Sequence, residues 1–106
     1  MKFDHVAFIV PSIEEATKWY SETLGAAILY ADDSWGLVSL YDLKIAFLTK
    51  DSHPPHIAFR IKSKKDLRDL DILDQEFKEH RDNSHSAYLK DPFGNFIEWV
   101  IYPEDM

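Results

Sequence analysis

Three residues in this chain have side chains suited to binding a metal ion, and they stand where apolar residues would be expected: His5, His56 and Glu98. Each interrupts a run of strand-forming residues. His5 lies between Phe3 and Ala7, His56 opens an apolar run with Ile57 to Phe59, and Glu98 is the only charge in residues 96–102. A carboxylate inside such a run is costly unless something positive meets it. Two neutral imidazoles and a carboxylate suit Fe(II), Mn(II), Ni(II), Co(II) or Zn(II), and three protein ligands leave coordination positions open for a substrate. An ion held that way can stabilise negative charge on substrate oxygens. Taken singly, either histidine is explained as a hydrogen-bonded core residue, and Glu98 as a residue on a wet strand face. Taken together, three good ligands on three apolar strands favour one shared site.

Those residues must be positioned by strands. Residues 2–10 alternate so that Val6, Phe8 and Val10 share one face and Phe3, His5, Ala7 and Ile9 the other. Pro11 ends that strand, and Ser12 with Glu15 forms a capping box for a helix over residues 13–24, stopped by Gly25. Strands are expected over 27–31, 37–41 and 44–49, with residues 32–36 as a turn and 50–55 as a linker. The second half then starts again. Residues 56–61 match 5–10 at every position but one, and Ser63 with Asp66 repeats the cap at the same offset of 51. Carried on, that offset matches Glu98 to Phe47.

An internal duplication of a β-α-β-β-β unit is therefore preferred over chance, with halves at about 1–50 and 53–106 inside one module of 106 residues. The fold class is α+β: two such units build a mixed sheet, with helices on one face and a concave face left open. The offset also favours a second helix ending near residue 74, followed by strands over 76–81 and 87–90. Residues 91–95, Asp-Pro-Phe-Gly-Asn, form a tight turn before the last strand.

Hydrophobic residues make up 45% of the chain and aromatics 14%, a globular composition. No cysteine is present, which excludes disulfides, thiolate metal sites and cysteine nucleophiles. The net charge of −7 argues against nucleic acid as a partner, because phosphate binding needs a basic surface. Lys62, Lys64, Lys65 and Arg68 form the one basic cluster, read as a solvated helix face. No apolar run approaches the ~20 residues of a membrane span, and Pro11, Glu14 and Glu15 interrupt the first segment before it could act as a signal. A cytoplasmic protein is expected.

The opening strand with His5, Trp19 and Tyr20 on the first helix, residues 55–59 (PHIAF) and above all residues 91–98 (DPFGNFIE) resemble the vicinal-oxygen-chelate superfamily. That group holds glyoxalase I, fosfomycin-resistance and bleomycin-resistance proteins, and extradiol ring-cleaving dioxygenases. The resemblance covers essentially the whole chain. It implies paired β-α-β-β-β units forming a half-open barrel around a divalent metal, a homodimer, and His5, His56 and Glu98 as the ligands. Glyoxalase I has a fourth ligand on the strand where this chain carries Phe47, so the three-ligand pattern is more similar to fosfomycin-resistance enzymes or extradiol dioxygenases.

Ala7 stands where the fosfomycin group has a threonine, and no histidine occurs from Val6 to Ser52, where the dioxygenases have an acid/base histidine. Tyr88 resembles a tyrosine near the dioxygenase metal, and His80 lies roughly where that group has a second histidine. Arg60, at the parity of His56, could hold a substrate carboxylate or phosphonate, or else pair with a surface acid. The resemblance thus implies a metal-dependent enzyme acting on a small substrate by lyase, isomerase or transferase chemistry. Glu98 and Tyr88 would be catalytic, and Arg60 and Phe47 would be substrate contacts. Ring-cleaving oxygenation and metal-free ligand sequestration are the alternatives.

Overall fold

A computed structural model describes residues 2–70, 77–80 and 82–105. In chain order the elements are β1 (Lys2–Ile9), α1 (Ile13–Leu24), β2 (Ala27–Ala31), β3 (Trp35–Leu40), β4 (Leu43–Leu48) and β5 (His56–Arg60). A 3-10 helix (Lys64–Leu70), β6 (Lys78–Glu79), β7 (His85–Lys90), β8 (Phe96–Ile101) and a 3-10 turn (Pro103–Asp105) complete them. The chain divides into two compact units, His5–His56 and the remainder, in which Met1–Asp4 join Ile57–Met106.

In the first unit the strand order is β2-β3-β4-β1, with β1 parallel to β4 and the other pairs antiparallel. Ser12 caps α1 by accepting the Glu15 N–H at 3.2 Å, as the capping box predicts. Gly25 ends the helix in the left-handed region at φ 74°, its N–H donating to Ser21 O at 3.1 Å. Alternation sends Val38, Ile45 and Phe47 towards α1, where they form a core with Ile13 and Ala26. Helix and sheet approach closely because position 36 is glycine: a Cβ there would lie 2.9 Å from Ile13 Cγ2. Ala7, Ala46 and Leu48 pack together with Leu37 on the other face, the one whose parity includes His5.

In the second unit the order is β5-β8-β7-β6. Trp99, Ile101 and Ile61 form its core with Leu67 of the 3-10 helix, joined by Phe59, Phe77 and Ile97. Phe3 sets its ring edge against Phe59, with centroids 6.1 Å apart. The mixed sheet and repeated unit expected from the sequence are present, and in each unit helical structure packs on one face. The second helix has 3-10 geometry over Lys64–Leu70, with Asp66 N donating to Ser63 O three residues back at 3.1 Å. Residues 71–74 of the expected helix lie outside the described residues. So do 76 and 81 of the expected strand, which is seen at Lys78–Glu79.

The register of the duplication differs from the sequence expectation at one place. Val10 N donates to Leu48 O at 2.8 Å and Ile61 N to Val100 O at 2.9 Å. These equivalent bonds relate β1 to β5 by 51 residues but β4 to β8 by 52. The extra residue is in the last turn. In the first unit Leu40 pairs with Leu43 across a two-residue turn. In the second, Asp91 N donates to Asn95 O at 2.8 Å across three residues. Glu98 therefore corresponds to Ala46, and Phe47 corresponds to Trp99 on the helix-covered face. Because alternate residues face opposite ways, that one-residue shift changes the side of the sheet. It corrects the match of Glu98 to Phe47: Phe47 is 0% exposed, packed against Tyr20 at 4.8 Å between ring centroids.

Candidate metal centre

His5 is carried by β1, and His56 is the first residue of β5, after an extended approach through Pro54 and Pro55. Their Nε2 atoms are 3.3 Å apart, and the rings meet edge to face. His56 Nδ1 is 2.8 Å from Pro54 O. A carbonyl oxygen only accepts, so Nδ1 carries the proton and, in the neutral ring, Nε2 offers its lone pair. A backbone carbonyl orienting the far ring nitrogen is the support that metal-ligating histidines generally have. Sequence reasoning missed this role of Pro54, although the paired prolines were a usable signal for a fixed, extended carbonyl.

Glu98 is buried on β8, 6% exposed, directly opposite Tyr88 of β7. The Tyr88 hydroxyl hydrogen-bonds the Glu98 carboxylate. Burial, then the Glu98 charge and that bond, raise the Tyr88 pKa far above its ordinary value, so the phenol keeps its proton and donates. In the first unit the same cross-strand pair is Ala46 opposite Leu37. The duplicated framework thus carries an apolar pair in one copy and a carboxylate with its phenol donor in the other.

One donor atom from each of His5, His56 and Glu98 lies within 4.8 Å of the other two, all from one chain. Ligand atoms about 2.1 Å from a common ion stand about 3.0–3.4 Å apart in octahedral or tetrahedral geometry. The imidazole pair already has that spacing, and a buried carboxylate calls for positive charge. The donor set therefore fits a divalent ion. The other predicted site residues have partners of their own. Arg60 Nε donates to Asp105 Oδ2 at 2.8 Å and its Nη2 to Glu104 Oε1 at 3.0 Å, while Phe47 is in the core of the first unit. His80 Nε2 is 2.5 Å from Ser86 Oγ, on the strand that also carries Tyr88.

Comparison with known proteins agrees with this fold. The family model described as the glyoxalase/bleomycin resistance protein/dioxygenase superfamily matches residues 2–99. No curated protein sequence matches. Among solved structures, methylmalonyl-CoA epimerase from Mycobacterium tuberculosis superposes with a TM-score of 0.72 at 18% identity, over 95% of this chain and 87% of the epimerase. A hypothetical protein from Bacillus halodurans C-125 gives a TM-score of 0.72 at 18% identity, over 94% and 93% of the two chains. A mutant of homoprotocatechuate 2,3-dioxygenase from Brevibacterium fuscum gives 0.69 at 14% identity, over 96% of this chain but 32% of the dioxygenase. With a family model matched along nearly its whole length, the chain belongs to the glyoxalase/bleomycin resistance protein/dioxygenase superfamily.

Proposed function

We propose that this protein is a divalent-metal-dependent enzyme, a single-module homodimer of the cytoplasm, in which His5, His56 and Glu98 hold one ion. The substrate is a small molecule that chelates the ion through two neighbouring oxygens, and the reaction is of the isomerase, lyase or transferase type. The observation that carries this reading is the donor spacing: two imidazole nitrogens 3.3 Å apart, with a carboxylate oxygen within 4.8 Å of both. A bound ion would supply Lewis-acid stabilisation of negative charge developing on the substrate oxygens.

The chain's own residues have separate tasks. His56 presents Nε2 because Pro54 holds its other nitrogen, and Glu98 neutralises charge at the site. Tyr88 donates to the carboxylate and fixes its orientation. Ala46, where the duplication would place a counterpart of Glu98, brings no fourth donor, so coordination positions remain for the substrate. The epimerase and the dioxygenase among the structural neighbours act on small molecules, which supports a small-molecule substrate here.

Metal analysis of protein purified without chelators tests the proposal. The expected result is one divalent ion per chain, lost on His56→Ala and on Glu98→Gln with the fold retained. Absence of metal from the wild type, with ligand binding unchanged by His56→Ala, overturns it in favour of a sequestering protein. Iron with oxygen uptake on catechols would transfer the site to dioxygenase chemistry.

A further inference from the structure

Arg60 lies four residues beyond His56 on β5. Phe59 and Ile61 point into the core of the second unit, so by alternation Ala58 and Arg60 share the face of Glu98 and Val100. On that face the guanidinium stands 4.8 Å above the Tyr102 ring, whose hydroxyl donates to Asp4 Oδ2 at 2.6 Å. Its hydrogen-bonding groups are met in an unusual way. Two consecutive acids of the turn Pro103–Asp105 each take one donor, Asp105 at Nε and Glu104 at Nη2. Neither forms the two-point fork by which a single carboxylate matches a guanidinium best. Glu104 is 63% exposed, where an ion pair contributes little and is readily exchanged.

We propose that Arg60 is the subsite for a carboxylate carried by the chelated substrate, and that the turn Pro103–Asp105 occupies the guanidinium until that carboxylate displaces Glu104. The inference rests on the metal reading for the chelating end of the substrate. The anionic end depends on Arg60 alone. A chelating head and a pendant carboxylate at the far end of the same strand face define the substrate class as a hydroxy, oxo or dihydroxy acid with its acid group set several ångströms from the chelating oxygens. The Tyr102 ring, 4.8 Å from the guanidinium carbon, adds a cation–π contact that helps hold the guanidinium where the exchange of Glu104 for a substrate carboxylate would take place.

Two probes that differ only in the carboxylate, catechol and 3,4-dihydroxybenzoate, are titrated calorimetrically into zinc-loaded wild type, Arg60→Gln and Glu104→Gln, with the Arg60 Nε–Hε resonance followed in parallel. The wild type should bind the acid about tenfold more tightly than catechol, the gain expected of one charge-assisted contact. Arg60→Gln should remove that difference while leaving catechol binding unchanged, and Glu104→Gln should enlarge it several-fold. Equal binding of the two probes by the wild type overturns the subsite, as does a preference that survives Arg60→Gln. If neither probe binds the zinc-loaded protein, the metal reading has failed. Benzoate titrated into metal-free protein then decides the subsite by itself: a saturable shift of the Arg60 resonance, stronger in Glu104→Gln, sustains it, and no shift overturns it.

Discussion

The proposed ligand set depends on residues that touch the ligands as much as on the ligands themselves. Tyr88 is half-buried, stays protonated and hydrogen-bonds Glu98. Removing that bond frees a carboxylate oxygen to turn away, and groups that orient a ligand typically contribute about 10–100-fold in metal affinity. Tyr88→Phe should therefore weaken zinc binding by about tenfold in a chelator competition, with thermal stability close to that of the wild type. Phe47 offers the contrast. It is fully buried beside Ile13, Val38 and Tyr20, so Phe47→Ala should cost about 3–5 kcal/mol in denaturant unfolding without altering metal stoichiometry. The two histidines and Glu98 were legible in the sequence because each is a polar residue in an apolar run. The side of Phe47 was not, since a single extra residue in the turn between Asp91 and Asn95, well past the last repeat landmark at Asp66, decides it.

The elements were mostly readable for local reasons. Alternation marked the strands, Ser12 and Glu15 marked the start of α1, and Gly25 its end. Turn chemistry set what could not be read. The Asp32 carboxylate accepts from Ser34 N at 2.8 Å and Trp35 N at 3.0 Å, which closes the turn early and starts β3 at Trp35 instead of Leu37. Asp91 does the same before β8, accepting from Asn95 N at 2.9 Å, Phe93 N at 2.8 Å and Asn95 Nδ2 at 3.0 Å.

The bonds from Asn95, backbone and side chain, hold the Asp91 pKa below its ordinary 3.8. A carboxylate whose folded pKa is depressed contributes stability above its unfolded pKa and loses it as pH falls through the folded value. The thermal midpoint should accordingly decline as pH drops below about 4, and Asp91→Asn should lower it at neutral pH while flattening that decline. A wild-type midpoint equally steep in Asp91→Asn would show that this turn does not contribute to acid sensitivity.

At the scale of the molecule, one strand arrangement occurs twice and only the second occurrence carries the carboxylate. Where the first unit pairs Ala46 with Leu37, the second pairs Glu98 with Tyr88, so the same framework stays packed with either an apolar or a polar cross-strand pair at that position. What the duplication leaves uncovered predicts assembly. β2 ends the strand order, and all five of its residues are exposed, Ile28, Leu29 and Tyr30 among them, with no charge or proline to discourage pairing. Tyr30 stacks on Trp35 at 4.7 Å and extends the apolar surface beyond the strand. A second copy of the chain is the partner expected to cover it. Light scattering should return twice the chain mass, and Leu29→Lys should return the mass of one chain with an unchanged circular dichroism spectrum, because Leu29 is half exposed and can change without disturbing the core. All three proposed metal donors come from one chain. The monomeric variant should therefore keep its metal, whereas a site assembled across two subunits would lose it at the same protein concentration at which the dimer dissociates.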